Sequence, residues 1–235
     1  MENPKYILFH FRMRGGGNKM FLADSIGEEY RNWKAGDCIF ISAPTGSGKT
    51  SFILKKLLSY FSTLQEPKKI LYLVNRTALK QQMENEISKL PFEQEQLIDV
   101  ELYQTIENMI VQLEYTNCVA PYYQGYVAAI NSAVSEKDRG KYIPAETVSA
   151  MPDYTNGSYS KVWWANEYDY VVCDEAHYFL MDSNYNTNTC WSFRFVSEVF
   201  AQKIRIYMSA TIEDIMTFIR KDNQKKIILE RHILA

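Results

Sequence analysis

The most chemically informative part of the sequence is residues 43–50, an eight-residue run of small and polar side chains that reads APTGSGKT. An apolar run at residues 38–41 precedes it and indicates a short buried strand, and residues 51–58 follow with apolar side chains at helical spacing. A glycine loop between a strand and a helix can turn several backbone N–H groups into one concavity, to which the helix N-terminus adds positive potential. The sequence therefore predicts a phosphate-binding loop.

Individual residues of this loop suit different parts of a nucleotide. Gly46 and Gly48 permit the tight turn, Lys49 would reach the β- and γ-phosphates, and the Thr50 hydroxyl would hold Mg²⁺. The usual pattern begins with glycine, whereas Ala43 stands at that position here. The alternative is a chance glycine turn before a core helix, which the flanking strand and helix make less attractive. The predicted nucleotide ligands are Thr45, Gly46, Ser47, Gly48, Lys49 and Thr50.

A second polar cluster, Asp174-Glu175-Ala176-His177, follows an apolar stretch at residues 168–173. Ligands of open parallel sheets bind at the carboxyl ends of the strands, so this cluster is expected to meet the phosphate loop in space. Asp174 would hold Mg²⁺ together with Thr50, and Glu175 would orient and deprotonate an attacking water. The alternative is that the two acids only cap the helix that follows.

Strand and helix patterns alternate along most of the chain. Apolar runs predict strands at residues 6–11, 38–41, 70–74, 97–103, 168–173, 204–208 and 225–229. Helical spacing predicts helices at residues 25–33, 51–61, 77–90, 106–113, 192–200 and 212–220. This order implies an α/β fold, with a mostly parallel sheet and helices on both faces. We expect a single domain over residues 1–235, with an N-terminal extension to about residue 34 and an insert at about 114–165.

Composition narrows the classes of partner. The formal net charge is −2, so any nucleic-acid contact must come from a local basic patch rather than a global field. The four cysteines show no CxxC spacing, which indicates small core residues in a reducing compartment. The sequence shows neither a secretory signal pattern nor an apolar stretch of membrane-spanning length. We therefore expect a cytoplasmic protein with no membrane partner.

Three motifs in this order carry a family resemblance. Residues 43–50, 174–177 and 209–211 (Ser-Ala-Thr) resemble motifs I, II and III of superfamily 2 helicases of the DEAD/DEAH-box kind. The resemblance implies the N-terminal RecA-like P-loop NTPase domain of such a helicase, with ATP and Mg²⁺ as cofactors. It implies that Lys49, Asp174 and Glu175 are catalytic, and that Thr50 and Asp174 bind the metal. It also implies that three residues couple the nucleotide state to nucleic acid: His177, Ser209 and Thr211.

Two weaker similarities fall between these motifs. Residues 74–82 resemble motif Ia, which contacts the nucleic-acid backbone, through three positions that include Arg76. Residues 103–104 resemble the neighbourhood of motif Ib. We predict a contact with DNA or RNA through Arg76 and Lys80, and the alternative of an exposed basic helix face stays open.

The sequence also departs from the family. DEAD-box helicases carry a glutamine upstream of motif I that reads adenine, but no glutamine occurs here before Gln65. The sequence also ends shortly after motif III. We therefore expect that the second RecA-like domain, which carries the arginine finger, is absent and is supplied in cis or in trans. A helicase-like protein of bacterial mobile elements is the nearest type. Three functions remain open: a helicase or translocase motor domain, a duplex-DNA translocase of the restriction or remodelling type, and a non-catalytic nucleotide-binding module.

Overall fold

A computed structural model of the chain describes residues 5–12, 21–108, 167–182, 189–216 and 227–234. The predicted insert at about 114–165 lies outside the described residues, as do residues 109–113 and 217–220 of the predicted helices at 106–113 and 212–220. The assignment of residues 1–235 to a single domain therefore stays a prediction. No helix in the described part of the chain is long and apolar enough to cross a lipid bilayer.

In the described residues seven strands form one sheet, and every pair of neighbouring strands is parallel. Their spatial order is β4-β3-β5-β6-β2-β1-β7. The strands are β1 (Lys5–Arg12), β2 (Cys38–Ser42), β3 (Ile70–Val74), β4 (Ile98–Leu102), β5 (Tyr170–Cys173), β6 (Ile204–Ser209) and β7 (Ile227–Leu234). Each of the seven predicted strands is present, and the predicted α/β fold with a parallel sheet is confirmed. The ends of six strands differ from the prediction by at most two residues, whereas β7 extends to Leu234 rather than residue 229.

Helices follow the strands in the described segments. They are α1 (Leu22–Ile26), α2 (Lys49–Phe52), α3 (Leu58–Phe61), α4 (Thr77–Ile87), α5 (Phe92–Glu95), α6 (103–108), α7 (Tyr178–Met181), α8 (Thr189–Arg194) and α9 (213–216). A π-helical segment, Ile53–Leu57, joins α2 to α3, and a second one, Phe195–Val199, extends α8. Residues 49–61 therefore form one continuous helical rod directly behind the glycine loop.

The predicted helix at residues 25–33 is wrong in its bounds. The helix starts earlier, at Leu22, where an Asp24 carboxylate oxygen accepts the Phe21 N–H at 3.4 Å and caps the first turn. It stops at Gly27, whose φ of 61° ends the helical path, and the chain then forms a separate 3₁₀ turn at Glu29–Asn32. Glycine at the end of a short helix thus divides one predicted element into two.

The sheet is covered on both faces, as the continuous apolar runs predicted. Alternate side chains of a strand enter opposite layers, so in β6 Ile206 and Met208 pack on one face and Tyr207 on the other. The first layer holds α1, residues 49–61 and α4, and the second holds α6, α7, α8 and α9. This arrangement fixes the strands from both sides and leaves their carboxyl ends to carry polar groups.

Two of the four cysteines fall in described side chains. Cys38 and Cys173 are both buried free thiols inside strands, which confirms for these two the prediction of core residues. Burial raises the pKa of the Cys173 thiol well above its usual range, so this group is held as an unreactive thiol.

Candidate functional site

The glycine loop leaves the carboxyl end of β2 at the centre of the sheet. Its first residue is tied to the neighbouring strand, because the Ala43 N–H donates to the Ser209 carbonyl at 3.0 Å. Gly46 and Gly48 adopt φ values of 78° and 92°, the left-handed region that glycine enters without steric cost. The loop then runs directly into α2 at Lys49. The predicted loop conformation thus depends on two glycines that no other residue type would replace without strain.

Two polar side chains of the glycine loop, those of Lys49 and Ser47, are buried. The Lys49 ammonium donates to the Ala43 carbonyl at 3.0 Å, and this side chain is only 9% exposed. The Ser47 hydroxyl is buried and has no hydrogen-bond partner among the described residues. A buried hydroxyl without a partner is costly, and a phosphate oxygen would satisfy it. These two groups would suit a bound anion.

The carboxylate of Asp174 is held firmly at the end of β5. Its Oδ2 accepts a hydrogen bond from the Tyr72 hydroxyl at 2.8 Å, and its Oδ1 accepts the Glu175 N–H at 2.9 Å. Burial raises the pKa of Asp174, while the Tyr72 hydrogen bond and the Lys49 charge act in the opposite direction. The ionised carboxylate is thus poorly solvated, which is a setting that favours binding of a cation.

Thr50 and Asp174, the predicted magnesium ligands, line the same small cavity of about 70 Å³. Their hydroxyl and carboxylate oxygens are hard donors of the type that Mg²⁺ prefers. The described residues contain no cluster of three or more histidine, cysteine or acidic side chains that could enclose a metal. This fits Mg²⁺, which is commonly held by one or two protein oxygens, waters and the substrate phosphates. The residues present therefore fit the implied ion.

Glu175, His177 and Ser209 form a contiguous polar group beside this cavity. The His177 Nδ1 atom lies 3.2 Å from Glu175 Oε2 and 3.1 Å from the Ser209 hydroxyl oxygen. The Ser209 hydroxyl oxygen also accepts the Thr211 N–H at 3.1 Å. Glu175 has a φ of 49°, the one positive φ of a non-glycine residue in the described segments. The two motifs from β5 and β6 thus meet, and the backbone at Glu175 is strained.

The comparison with known families decides the classification. Residues 22–214 match the family described as type III restriction enzyme, res subunit (ResIII). The chain belongs to this family. A comparison with curated proteins finds no match.

The ResIII domain is the N-terminal RecA-like ATPase domain of superfamily 2 helicases, which confirms the predicted resemblance and the RecA-like P-loop fold. The matched range begins at α1 and ends within α9, so it includes the glycine loop, the Asp174 cluster and Ser209. The family supports an ATP-dependent, helicase-like motor domain.

Sequence reasoning missed Tyr72 in this ResIII domain. Tyr72 lies in the middle of β3, its side chain is 1% exposed, and its hydroxyl reaches the predicted metal ligand Asp174. Burial and the Asp174 charge raise the pKa of Tyr72 well above its usual range, so the group stays a hydrogen-bond donor. The one feature of the sequence that could have indicated Tyr72 was its polar hydroxyl group in an otherwise apolar strand.

Phe21 is a second residue beside the glycine loop that the sequence patterns did not indicate. Its ring is 44% exposed and lies at the glycine loop, since a Cβ atom added at Gly48 would be 3.4 Å from its Cδ1 atom. The adjacent Leu22 N–H donates to the Ser47 carbonyl at 3.0 Å, which fixes α1 against the loop. An aromatic ring at the rim of a phosphate site is available to a nucleotide base.

The Tyr103–Gln104 pair of the ResIII domain lies beside Asp174. The Tyr103 hydroxyl donates to the Asp174 backbone carbonyl at 2.9 Å, and its ring stacks on that of Tyr178. Gln104 donates to the Asn75 carbonyl at 3.2 Å and to the Tyr178 hydroxyl at 3.1 Å. These bonds connect the end of β3, where residues 74–82 begin, with the helix after Asp174.

The two predicted nucleic-acid residues differ in their surroundings. Arg76 is exposed at the start of α4, and no carboxylate in the described part of the chain forms an ion pair with it. Lys80 instead lies 2.8 Å from a carboxylate oxygen of Glu101, a side chain that is only 2% exposed. The Lys80 charge therefore neutralises a buried acid, and its contact with nucleic acid stays a prediction, as does that of Arg76.

Proposed function

We propose that this domain binds ATP with Mg²⁺ and hydrolyses it to drive movement on, or unwinding of, nucleic acid. One observation carries the proposal: Lys49 and Thr50 after β2 lie at the same edge of the sheet as Asp174 and Glu175 after β5. Charge neutralisation, a held metal and an oriented water are the requirements for γ-phosphate hydrolysis, and this edge supplies a residue for each.

Each side chain has a distinct task in this proposal. Lys49 neutralises the β- and γ-phosphate oxygens, and Thr50 and Asp174 hold Mg²⁺. When bound, the ion supplies charge stabilisation to the phosphates. Glu175 orients the attacking water and takes its proton. His177 contacts both Glu175 and Ser209, so it is placed to pass a change at the γ-phosphate to the segment after β6.

We further propose that a second RecA-like domain, in cis or in trans, completes the site. An arginine finger typically contributes about 10³ to 10⁵ in turnover. Arg205 is 2% exposed and donates to the Gly36 and Ser197 carbonyls, so it is held inside the fold. Arg31 pairs with Glu28 on the 3₁₀ turn. Without the second domain we expect ATP binding with very slow hydrolysis and little stimulation by DNA or RNA.

The proposed partner is DNA or RNA, and the proposed compartment is the cytoplasm, where buried free thiols such as Cys38 and Cys173 stay reduced.

Two motor functions fit this proposal. A DEAH-box-like helicase is favoured by the Asp174-Glu175-Ala176-His177 sequence, and a duplex-DNA translocase of the restriction type is favoured by the description of the matched family.

The test measures ATP turnover and strand displacement by this protein together with a RecA-like second domain. Nucleic-acid-stimulated turnover with displacement of a paired strand supports the helicase. Stimulated turnover with displacement of a triplex-forming strand, but no unwinding, supports the translocase. ATP binding without turnover under every condition supports the non-catalytic module instead and rejects the motor. A Glu175→Gln variant serves as the control for contaminating ATPase.

A further inference from the structure

The carboxylate of Asp174 is oriented by one hydrogen bond to each of its oxygens. The Glu175 N–H reaches Oδ1, and the Tyr72 hydroxyl reaches Oδ2. The Asp174 N–H also donates to the Leu73 carbonyl at 3.0 Å, which ties this residue to β3. Each carboxylate oxygen keeps a lone pair that faces away from these donors, so the direction available to a cation is set by the protein.

Tyr72 is a rigid source of this hydrogen bond. It lies on β3 between β4 and β5, its partner in the β5 register is Val172, and its side chain is almost fully buried. A buried ring in a central strand has little rotational freedom, so its hydroxyl stays in place when ligands come and go.

Thr50 lines the same cavity as Tyr72 and Asp174. A threonine that binds a cation uses an oxygen lone pair, and its hydrogen then needs an acceptor elsewhere. The Tyr72 oxygen can accept that hydrogen while it donates its own to Asp174.

We propose that Tyr72 is a positioning residue for the metal, whose hydroxyl joins Thr50 and Asp174 and aims both oxygens at the cation. This inference rests on the proposed Mg²⁺–ATP site. An aliphatic or phenylalanine side chain at this position would leave Oδ2 of a half-buried carboxylate without its tyrosine partner and leave the Thr50 hydroxyl unoriented.

The test uses Tyr72→Phe, which removes one oxygen atom and keeps the packed ring. A matched control is Tyr168→Phe, because Tyr168 is also buried and donates to a carboxylate, Asp99, at 2.7 Å, before β5 begins. Binding of a fluorescent ATP analogue is titrated over a range of Mg²⁺ concentrations and in EDTA, below the melting transition of each variant. We expect Tyr72→Phe to raise the Mg²⁺ midpoint about tenfold or more, while binding in EDTA is unchanged.

A double-mutant cycle separates positioning from a general structural effect. If Tyr72 acts through Asp174, Tyr72→Phe should cause no further loss of Mg²⁺ dependence in an Asp174→Asn background. An unchanged Mg²⁺ midpoint in Tyr72→Phe, or an equal shift in Tyr168→Phe, overturns the inference and leaves the proposed function intact. Absence of Mg²⁺-dependent binding in the wild-type protein instead overturns both.

Discussion

The imidazole of His177 and the hydroxyl of Ser209 meet at 3.1 Å, across the carboxyl ends of two neighbouring strands. The same ring nitrogen lies 3.2 Å from the carboxylate of Glu175. One Nδ1 atom therefore faces both groups, and a proton on it can be shared between them or given to one. We therefore expect a change in the charge or position of Glu175 to alter the hydrogen bond between His177 and Ser209.

Ser209→Ala should separate nucleotide binding from the response to nucleic acid. The change removes the hydroxyl that contacts His177 and the Thr211 N–H, but it leaves the phosphate loop untouched. We expect unchanged affinity for a fluorescent ATP analogue and at least a severalfold loss of DNA- or RNA-stimulated turnover in the two-domain assay. The matched control is Ser62→Ala, since among the described residues the Ser62 hydroxyl bonds only within its own turn, to the Ser59 carbonyl. Wild-type stimulation in Ser209→Ala would remove the coupling role.

Glu175→Gln should keep ATP binding and abolish hydrolysis in the two-domain assay. The amide preserves the size of the side chain but cannot take a proton from water, and loss of a general base typically costs about 10² to 10⁴ in rate. The two steps are separated by equilibrium titration for binding and by release of phosphate for hydrolysis. Normal phosphate release from the variant would assign the water-activating role to another residue.

Asp174→Asn should weaken Mg²⁺ binding but raise the stability of the metal-free protein at high pH. Burial raises the pKa of Asp174 in the folded protein. The contribution of this carboxyl group to folding stability is therefore fully present below its pKa in the unfolded chain, and it is lost as the pH rises through its pKa in the folded protein. Asparagine carries no charge at any pH. We therefore expect the stability of the variant relative to wild type to increase from about pH 4 to pH 8 without Mg²⁺.

Thermal unfolding at both pH values in EDTA, and again with Mg²⁺ and nucleotide, measures these effects. The ligands should stabilise wild type more than Asp174→Asn. A stability difference that does not change with pH would show that burial of the Asp174 charge is not a cost to the fold.

The strands of this domain were predictable because burial on both faces requires a continuous apolar run. Residues 70–74 were predicted and Ile70–Val74 is observed, and the run at 38–41 became Cys38–Ser42. The glycine loop was predictable for a similar reason, since Gly46 and Gly48 adopt backbone angles that mark the turn in the sequence itself.

Contacts between strands were not predictable, because periodicity reports burial and not which strands are neighbours. The Tyr72–Asp174 bond requires β3 beside β5, an order that places strands distant in sequence next to each other. The Lys80–Glu101 pair likewise depends on α4 packing over β4. Local patterns therefore identified the chemical groups of the site, and only the topology revealed the residue that connects two of them.

Arg76→Glu should weaken binding to all nucleic-acid sequences alike and reduce the slope of affinity against salt by about one unit or more, since each phosphate contact contributes about one unit. Arg76 is exposed at the start of α4 and has no acidic ion-pair partner in the described segments. Fluorescence anisotropy with unrelated DNA and RNA oligonucleotides at several salt concentrations gives both quantities. The matched control is Lys89→Glu, an exposed cation just beyond the other end of α4. Equal behaviour of the two variants would indicate a merely exposed basic face.

The most direct measurement is titration of the wild-type protein and of Lys49→Ala with a fluorescent ATP analogue in the presence of Mg²⁺. Lys49→Ala removes the ammonium that lies inside the glycine loop and leaves the strands and their core unchanged. Lys55→Ala, an exposed lysine on the same helical rod, is the matched control. We expect tight, Mg²⁺-dependent binding by wild type and Lys55→Ala, and a loss of at least tenfold in Lys49→Ala at an unchanged melting temperature. Equal affinity of all three proteins, or no binding by any of them, would contradict the proposed ATP site.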